Sequence, residues 1–164
     1  MKKIFVLFCL SLAAIVYFSA GAGQAVRVNE PAQIYYVDRR IHHLIPIDYI
    51  SKSSNPEKIA REITENLIMG KSDNGEILQL LPRTENSIKV NVKKNTALVD
   101  LSSELCEKIV KNPENERLIV YQLVNSLTSI EGIDTVQFTI GGKTKRDFLG
   151  FLDMREIFTP DYYI

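Results

Sequence analysis

The side chains best suited to chemistry in this sequence are two histidines and a set of carboxylates. His42 and His43 are the only histidines, and they are adjacent. Neighbouring residues of an extended strand point to opposite faces, so both rings cannot readily bind one ion. No third histidine could complete a site with either ring. A zinc centre is therefore not expected.

The carboxylates do not form a recognisable catalytic pattern. Asp100 and Glu104 lie where a strand is predicted to pass into a short helix, a place where acids usually cap the helix. Glu57, Glu62 and Glu65 fall on a predicted polar face, where acids are normally solvated. The sequence also lacks a nucleophile elbow, a phosphate-binding loop and a zinc-protease motif. We therefore predict no catalytic, cofactor-binding or metal-binding residue and no cofactor; the binding residues stay unknown.

Cysteine use adds no redox or nucleophilic site. Cys9 lies in an apolar run, and Cys106 is the only other cysteine. A lone cysteine without a nearby histidine is more often a small buried hydrophobic residue than a nucleophile. We expect Cys106 to be such a residue.

The amino terminus has the pattern of an export signal. Lys2 and Lys3 precede 17 uncharged residues, Ile4–Ala20, which are followed by small residues. A signal peptide has this order, although the run also reaches the lower limit for a spanning helix. Residues 1–23 are therefore predicted to be a signal peptide or a membrane anchor. Either places the rest of the chain outside the cytoplasm, secreted or anchored to the membrane.

The charge balance argues against nucleic acid as a partner. The chain has 20 basic and 20 acidic residues. Its small basic groups, such as Arg39-Arg40 and Lys93-Lys94, are scattered and lack interleaved aromatic residues. We interpret them as solvated surface.

Alternating strands and helices are predicted after a linker over residues 24–32. Gln33–Asp38 is rich in aromatic and β-branched residues and predicts a strand. The following apolar stretch contains Pro46, which favours an edge strand or an irregular extension. A helix is predicted to begin at Asn55-Pro56 and to end at Gly70.

The second half begins with a loop over residues 71–86. Alternation in Ile88–Val92 and again in Ala97–Leu101 predicts a β-hairpin. A short helix is expected around Glu104–Lys111. Near the carboxyl end, Leu149–Met154 is predicted to add one more extended segment.

The segment "RLIVYQLVNSLTSIEGIDTVQFTIGG" predicts a helix followed by a strand. Asn112-Pro113 starts the helix, and its apolar residues recur at helical spacing. Gln122 and Asn125 are three residues apart on another side, so they could form a ligand-binding pair or a polar flank that fixes a loop. The alternating residues Thr135–Ile140 predict the strand.

This element order predicts an α+β fold. We expect a two-layer sandwich in which two main helices pack on one face of a small mixed β-sheet, in the order β-α-β-β-α-β. Residues 33–164 would form a single domain with a carboxy-terminal tail.

An ordered series of segments resembles the GerMN domain family of sporulation and spore germination. The segments are "IYYVD", "LIPI", "ENLIMG", "LLP", "IKVNVKKNTALVDLSSEL" and "ERLIVYQLVNSLTSIEGIDTVQFTIGGK". The resemblance implies a fold related to ring-building motifs. It also implies a non-catalytic, extracytoplasmic domain that binds protein partners in a membrane or cell-envelope assembly, with self-association left open.

Two other functions stay open at this stage. A domain that binds peptidoglycan and positions cell-wall hydrolases would need exposed aromatic rings, for which Tyr35, Tyr36 and Tyr49 are the candidates. A small enzyme of unrecognised type would need a polar cleft with convergent acids. The partner, the oligomeric state and the choice between sporulation, germination and a general envelope role are not determined by the sequence.

Overall fold

The computed structural model describes residues 31–70 and 75–164. The predicted leader, residues 1–23, lies outside the described residues, as does nearly all of the predicted linker. Within the described ranges, no helix is both long enough and apolar enough to cross a membrane.

The described residues form seven strands and three helices. In chain order they are β1 (Ala32–Asp38), β2 (Leu44–Tyr49), α1 (Pro56–Met69), β3 (Ile77–Leu78), β4 (Ile88–Lys93), β5 (Thr96–Leu101), α2 (Ser103–Lys108), α3 (Pro113–Thr128), β6 (Thr135–Ile140) and β7 (Ile157–Phe158). The predicted α+β class is confirmed.

The strands divide into two sheets, whereas the sequence predicted one. The first sheet has the order β2-β1-β3 and is antiparallel. The second has the order β4-β5-β6-β7, with a parallel pair at β5 and β6. The sheets are separate because α3, and not another strand, lies along most of the edge of β1 that faces away from β2.

The predicted hairpin and helix starts are confirmed. β4 and β5 pair in antiparallel register, with Lys93 opposite Thr96 and Lys94 at positive φ in the turn. Asn55 caps α1 by accepting from the backbone N–H of Lys58 at 3.1 Å. Asn112 caps α3 in the same way. An asparagine cap followed by proline therefore sets the start of both long helices.

Four expected local features are corrected. Leu149–Met154 is a closed loop rather than a strand, because the backbone N–H of Met154 donates to the carbonyl of Arg146 at 2.7 Å. The last strand is β7, and the short strand β3 lies inside the predicted loop over residues 71–86. The helix expected to reach Lys111 ends at Lys108, since Ile109 is extended and buried.

Two clusters of buried side chains hold these elements together. The main core lies between the inner face of the second sheet and the apolar sides of α1 and α3, with Ile63, Leu123 and Phe138 fully buried. A smaller cluster on the other face of β1 contains Tyr35 and the carboxy-terminal Ile164. The carboxy-terminal tail is therefore part of the folded domain.

Candidate functional site

The two histidines lie in the turn between β1 and β2, not in a strand as the sequence analysis assumed. His42 has a positive φ of 50°, and its Nδ1 lies 3.3 Å from Glu114 Oε1 at the start of α3. Among the described residues, no group of three histidine, cysteine or acidic side chains is placed to hold a metal ion.

Asp100 and Glu104 do not cap α2, contrary to expectation. The cap is Ser102, whose Oγ accepts from the backbone N–H of Leu105 at 3.1 Å. Asp100 Oδ1 instead accepts from Thr139 Oγ1 at 2.8 Å and from the backbone N–H of Gly142 at 2.7 Å. Asp100 therefore fixes the turn after β6, and Glu104 pairs with Lys108 on the helix surface.

Glu57 and Glu62, two of the acids on α1, are bound to strands or nearby loops. Glu62 Oε2 accepts from the hydroxyls of Tyr49 at 3.0 Å and Ser51 at 2.7 Å. Glu57 Oε2 accepts from the backbone N–H of Val92 at 3.0 Å. Burial, and next the bond to Glu62, raises the pKa of Tyr49. These two carboxylates therefore bind other parts of the protein and are not merely solvated, as the sequence analysis expected.

A buried acid that the sequence analysis missed is Glu116. It is fully buried, and its two oxygens accept from the backbone N–H groups of Leu149 at 3.0 Å and Phe151 at 2.8 Å. Glu116 precedes Val120 by four residues and Leu123 by seven, so it lies on the apolar stripe of α3. A glutamate in that position could have indicated a buried role.

Asn125 fixes the carboxy-terminal tail to α3, as the polar-flank alternative predicted. Its Nδ2 donates to the carbonyl of Asp161 at 2.7 Å, and its Oδ1 accepts from the Asp161 N–H at 3.0 Å. Gln122 is also buried, and its Oε1 has no partner in the part of the chain that the structure describes. Asn125 is thus not free to hold a ligand, because both polar atoms of its amide are bound to the tail.

Ser126 of α3 and Ser129, the residue that follows the helix, bind the backbone edge of β1. Ser126 Oγ accepts from the backbone N–H of Tyr35 at 2.8 Å. Ser129 Oγ accepts from the N–H of Gln33 at 2.8 Å and donates to its carbonyl at 3.0 Å. We call this contact the α3–β1 seam. It satisfies strand groups that would otherwise be buried without partners.

The aromatic and thiol candidates are largely inside the protein. Tyr35 and Tyr36 are buried, and burial raises the pKa of both hydroxyls. Tyr49 is half-buried and packs against the main core. Cys106 is half-buried, and the pKa of its thiol is raised chiefly by that burial. None of these tyrosines offers an exposed ring on which a sugar could stack.

Open space occurs on both sides of β4. A polar cup of about 390 Å³ lies over the sheet surface, between Lys89, Asp100 and the Gly141-Gly142 turn. A second opening of about 330 Å³, which we call the α1–β4 cleft, lies between Arg61 and Glu65 on one side and the strand on the other. Asp100 is the acid at the cup, and Thr139 and Gly142 already bind it.

Comparison with known proteins assigns the family. The family model Germane, described as sporulation and spore germination, matches residues 15–146. The chain belongs to the Germane family. No curated protein matches it.

Solved structures agree with the Germane fold. The first GerMN domain of the sporulation protein GerM from Bacillus subtilis has 22% identity and a TM-score of 0.64, covering 79% of this chain and 97% of that one. The tandem GerMN domains of the same protein have 23% identity and a TM-score of 0.64, covering 79% of this chain and 46% of that one. The Germane chain thus spans about half the length of the tandem structure.

A third structure adds a relative with a different description. A "putative lipoprotein" from Clostridium perfringens has 18% identity and a TM-score of 0.56, and the match covers 80% of this chain and 87% of that one. At this identity the likeness concerns the fold alone.

Proposed function

We propose that this Germane chain is an exported, non-catalytic domain that binds protein partners in a cell-envelope assembly of sporulation or spore germination. The family supplies the process, because its description names sporulation and spore germination. The basic and apolar sequence of residues 1–23 supports a location beyond the cytoplasmic membrane, secreted or anchored there. The description of the Clostridium perfringens relative as a putative lipoprotein agrees with that location.

One observation favours binding over chemistry: the best-placed acids already serve the fold. Glu57, Asp100 and Glu116 each accept a hydrogen bond from a backbone N–H of another element. A general base must instead be free to reach a proton on the substrate. These three carboxylates therefore hold a strand, a turn and a loop in place.

A deletion strain of the source organism tests the proposal. We expect a defect in sporulation or germination that the full chain restores and that a chain lacking residues 1–23 does not. Normal sporulation and germination in the deletion strain would contradict the proposed process. An envelope defect confined to vegetative growth would favour the peptidoglycan-binding alternative.

A second assay tests the absence of catalysis. The purified full chain should release no soluble fragments from peptidoglycan. Turnover that disappears in a single acidic variant, such as Glu65→Gln, would contradict the proposal and favour a small enzyme. Glu65 is a suitable position because it is exposed and borders the α1–β4 cleft.

A further inference from the structure

The outer edge of β4 is only partly covered. Backbone groups of a strand alternate between its two sides, and those of Val90 and Val92 face away from β5. Arg61 Nε donates to the Val90 carbonyl at 3.3 Å, and Glu57 accepts from the Val92 N–H. By the same alternation the backbone of Ile88 faces outward, and no described residue outside the strand ladder bonds it. The backbone of Ile88 and the N–H of Val90 therefore have no hydrogen-bond partner among the described residues, although the two residues as a whole are only 9% and 3% exposed.

The α1–β4 cleft lies beside this open portion of the edge. Its lining includes Ile88 and Val90, with Asn86 at one end. A second cleft of about 270 Å³ shares Glu65 and Asn86 with it, so the two adjoin along α1.

The second cleft offers apolar contacts beside acidic side chains. Ile68 lines it together with Met69, which is 61% exposed. Thr84 also lines it, and the Thr84 hydroxyl oxygen is buried without a partner among the described residues. A ligand that brings an apolar side chain would pack against Ile68 and Met69 in this cleft.

We propose that an extended segment of a partner protein binds in these clefts and adds as a strand to the edge of β4 at Ile88 and Val90. This inference rests on the proposed protein-binding function and names its surface. Strand addition supplies backbone hydrogen bonds, while pockets beside the edge select alternate side chains.

The size of the open edge favours a short segment over a second folded copy. The open portion of the strand, Ile88–Val90, spans about 10 Å, enough for about three residues of a partner. The two clefts, of about 330 and about 270 Å³, are comparable to small ligand pockets. A stable dimer of folded chains needs about 800 Å² from each partner, far more than a three-residue edge provides.

The charges indicate what such a segment should carry. Lys89 is exposed beside the edge and forms no ion pair with any described residue. Glu65 and Glu85 border the opposite end, next to the apolar surface of Met69. The segment should therefore place a carboxylate near Lys89 and an apolar side chain against Met69.

The edge of β2 does not offer the same opportunity. The outward N–H of Leu44 donates to the carbonyl of Ile164 at 3.0 Å, and Pro46 has no N–H to offer. Proline at an edge is a common protection against strand addition. Leu44 and Pro46 therefore offer no N–H to an added strand.

Site-specific photocrosslinking in sporulating cells tests the proposal with the full chain. The probe is p-benzoylphenylalanine, placed at Glu65 in the cleft or at Lys58, which is exposed on the same helix. We expect a protein adduct from position 65 and none from position 58, with the crosslinked peptide mapped by mass spectrometry. Lys89→Glu should reduce the adduct about fivefold or more, since it reverses the charge beside the edge. Lys93→Glu is the matched control, because Lys93 is exposed on the same strand outside the clefts, and it should leave the adduct unchanged.

The outcomes separate this inference from the proposed function. Adducts from position 58 alone, or an adduct insensitive to Lys89→Glu, would place the partner elsewhere and overturn the inference without touching the function. An adduct with a second copy of this chain would also overturn it. No adduct from either position, in a strain whose sporulation and germination depend on the chain, would overturn strand addition and leave the process intact. If the deletion strain also sporulates and germinates normally, both the strand-addition inference and the proposed function are contradicted.

Discussion

Two helices lie beside strand edges in this domain, and they cover them differently. At the α3–β1 seam, buried Ser126 and half-buried Ser129 bind the backbone of β1 through neutral hydroxyls. At β4, the covering groups are Glu57 and Arg61, which also pair with each other at 2.5 Å and are partly exposed. One edge is closed inside the protein, and the other is held by charged side chains that water can reach.

This difference in covering groups suggests different roles: the edge of β1 supports the fold, and the edge of β4 is available for binding. Buried neutral bonds are costly to break, because an unpaired strand group would remain away from water. A partly exposed ion pair contributes little and can be replaced by water or by another strand. Stability should therefore depend on α3, whereas binding should depend on the cleft beside α1.

The largest effect should come from the apolar side of α3. Leu123 is fully buried in the main core, so Leu123→Ala should lower the free energy of unfolding by roughly 2–5 kcal/mol. Urea unfolding measures the change. Met69→Ala is the control, since Met69 is 61% exposed and should change stability by less than about 0.5 kcal/mol. Equal losses at both positions would show that the buried side of α3 is assigned wrongly.

The hydroxyl contacts of the seam should give the next largest effect. Ser126→Ala leaves the buried N–H of Tyr35 without an acceptor, which should cost about 1–3 kcal/mol. Ser54→Ala tests an exposed serine and should be nearly neutral. If Ser126→Ala leaves the free energy of unfolding unchanged, the hydroxyl contact at the edge of β1 contributes no more to stability than an exposed serine does.

Removing the charged side chains that lie over the edge of β4 should have the smallest effect on the free energy of unfolding. Glu57→Ala removes the ion pair with Arg61 and the acceptor for Val92, yet both lie where water can replace them. We expect a loss below about 1 kcal/mol that shrinks further at high salt. A loss as large as that of Ser126→Ala would remove the contrast between the two edges.

Local sequence patterns predicted the positions of helices and strands better than they predicted which distant residues those elements contact. The Asn-Pro starts at Asn55 and Asn112 and the alternation around Lys94 depend on neighbouring residues, so they are visible in the sequence. Helical spacing also showed that Asn125 lies on a polar side of α3. It could not show that the partner is the backbone of Asp161, 36 residues away.

The division into two sheets was hidden for the same reason. Ser126 and Ser129 look like ordinary polar helix residues until β1, more than 90 positions earlier, is placed beside them. The position of Glu116 on the apolar stripe of α3 could have indicated its burial, but its partners are backbone N–H groups, which carry no sequence signal. The openness of β4 likewise depends on where α1 packs, which no local pattern specifies.

Native-state hydrogen exchange compares the two edges most directly. In the full chain, the Tyr35 N–H should exchange only by opening of the α3–β1 seam, and the Asn91 N–H, which faces β5, only by opening of the β4–β5 hairpin. The Val90 N–H, on the same strand as Asn91 but facing the cleft, should exchange at least about 100-fold faster, a difference of about 3 kcal/mol in opening free energy. Protection of Val90 equal to that of Tyr35 and Asn91 would contradict an open edge at β4.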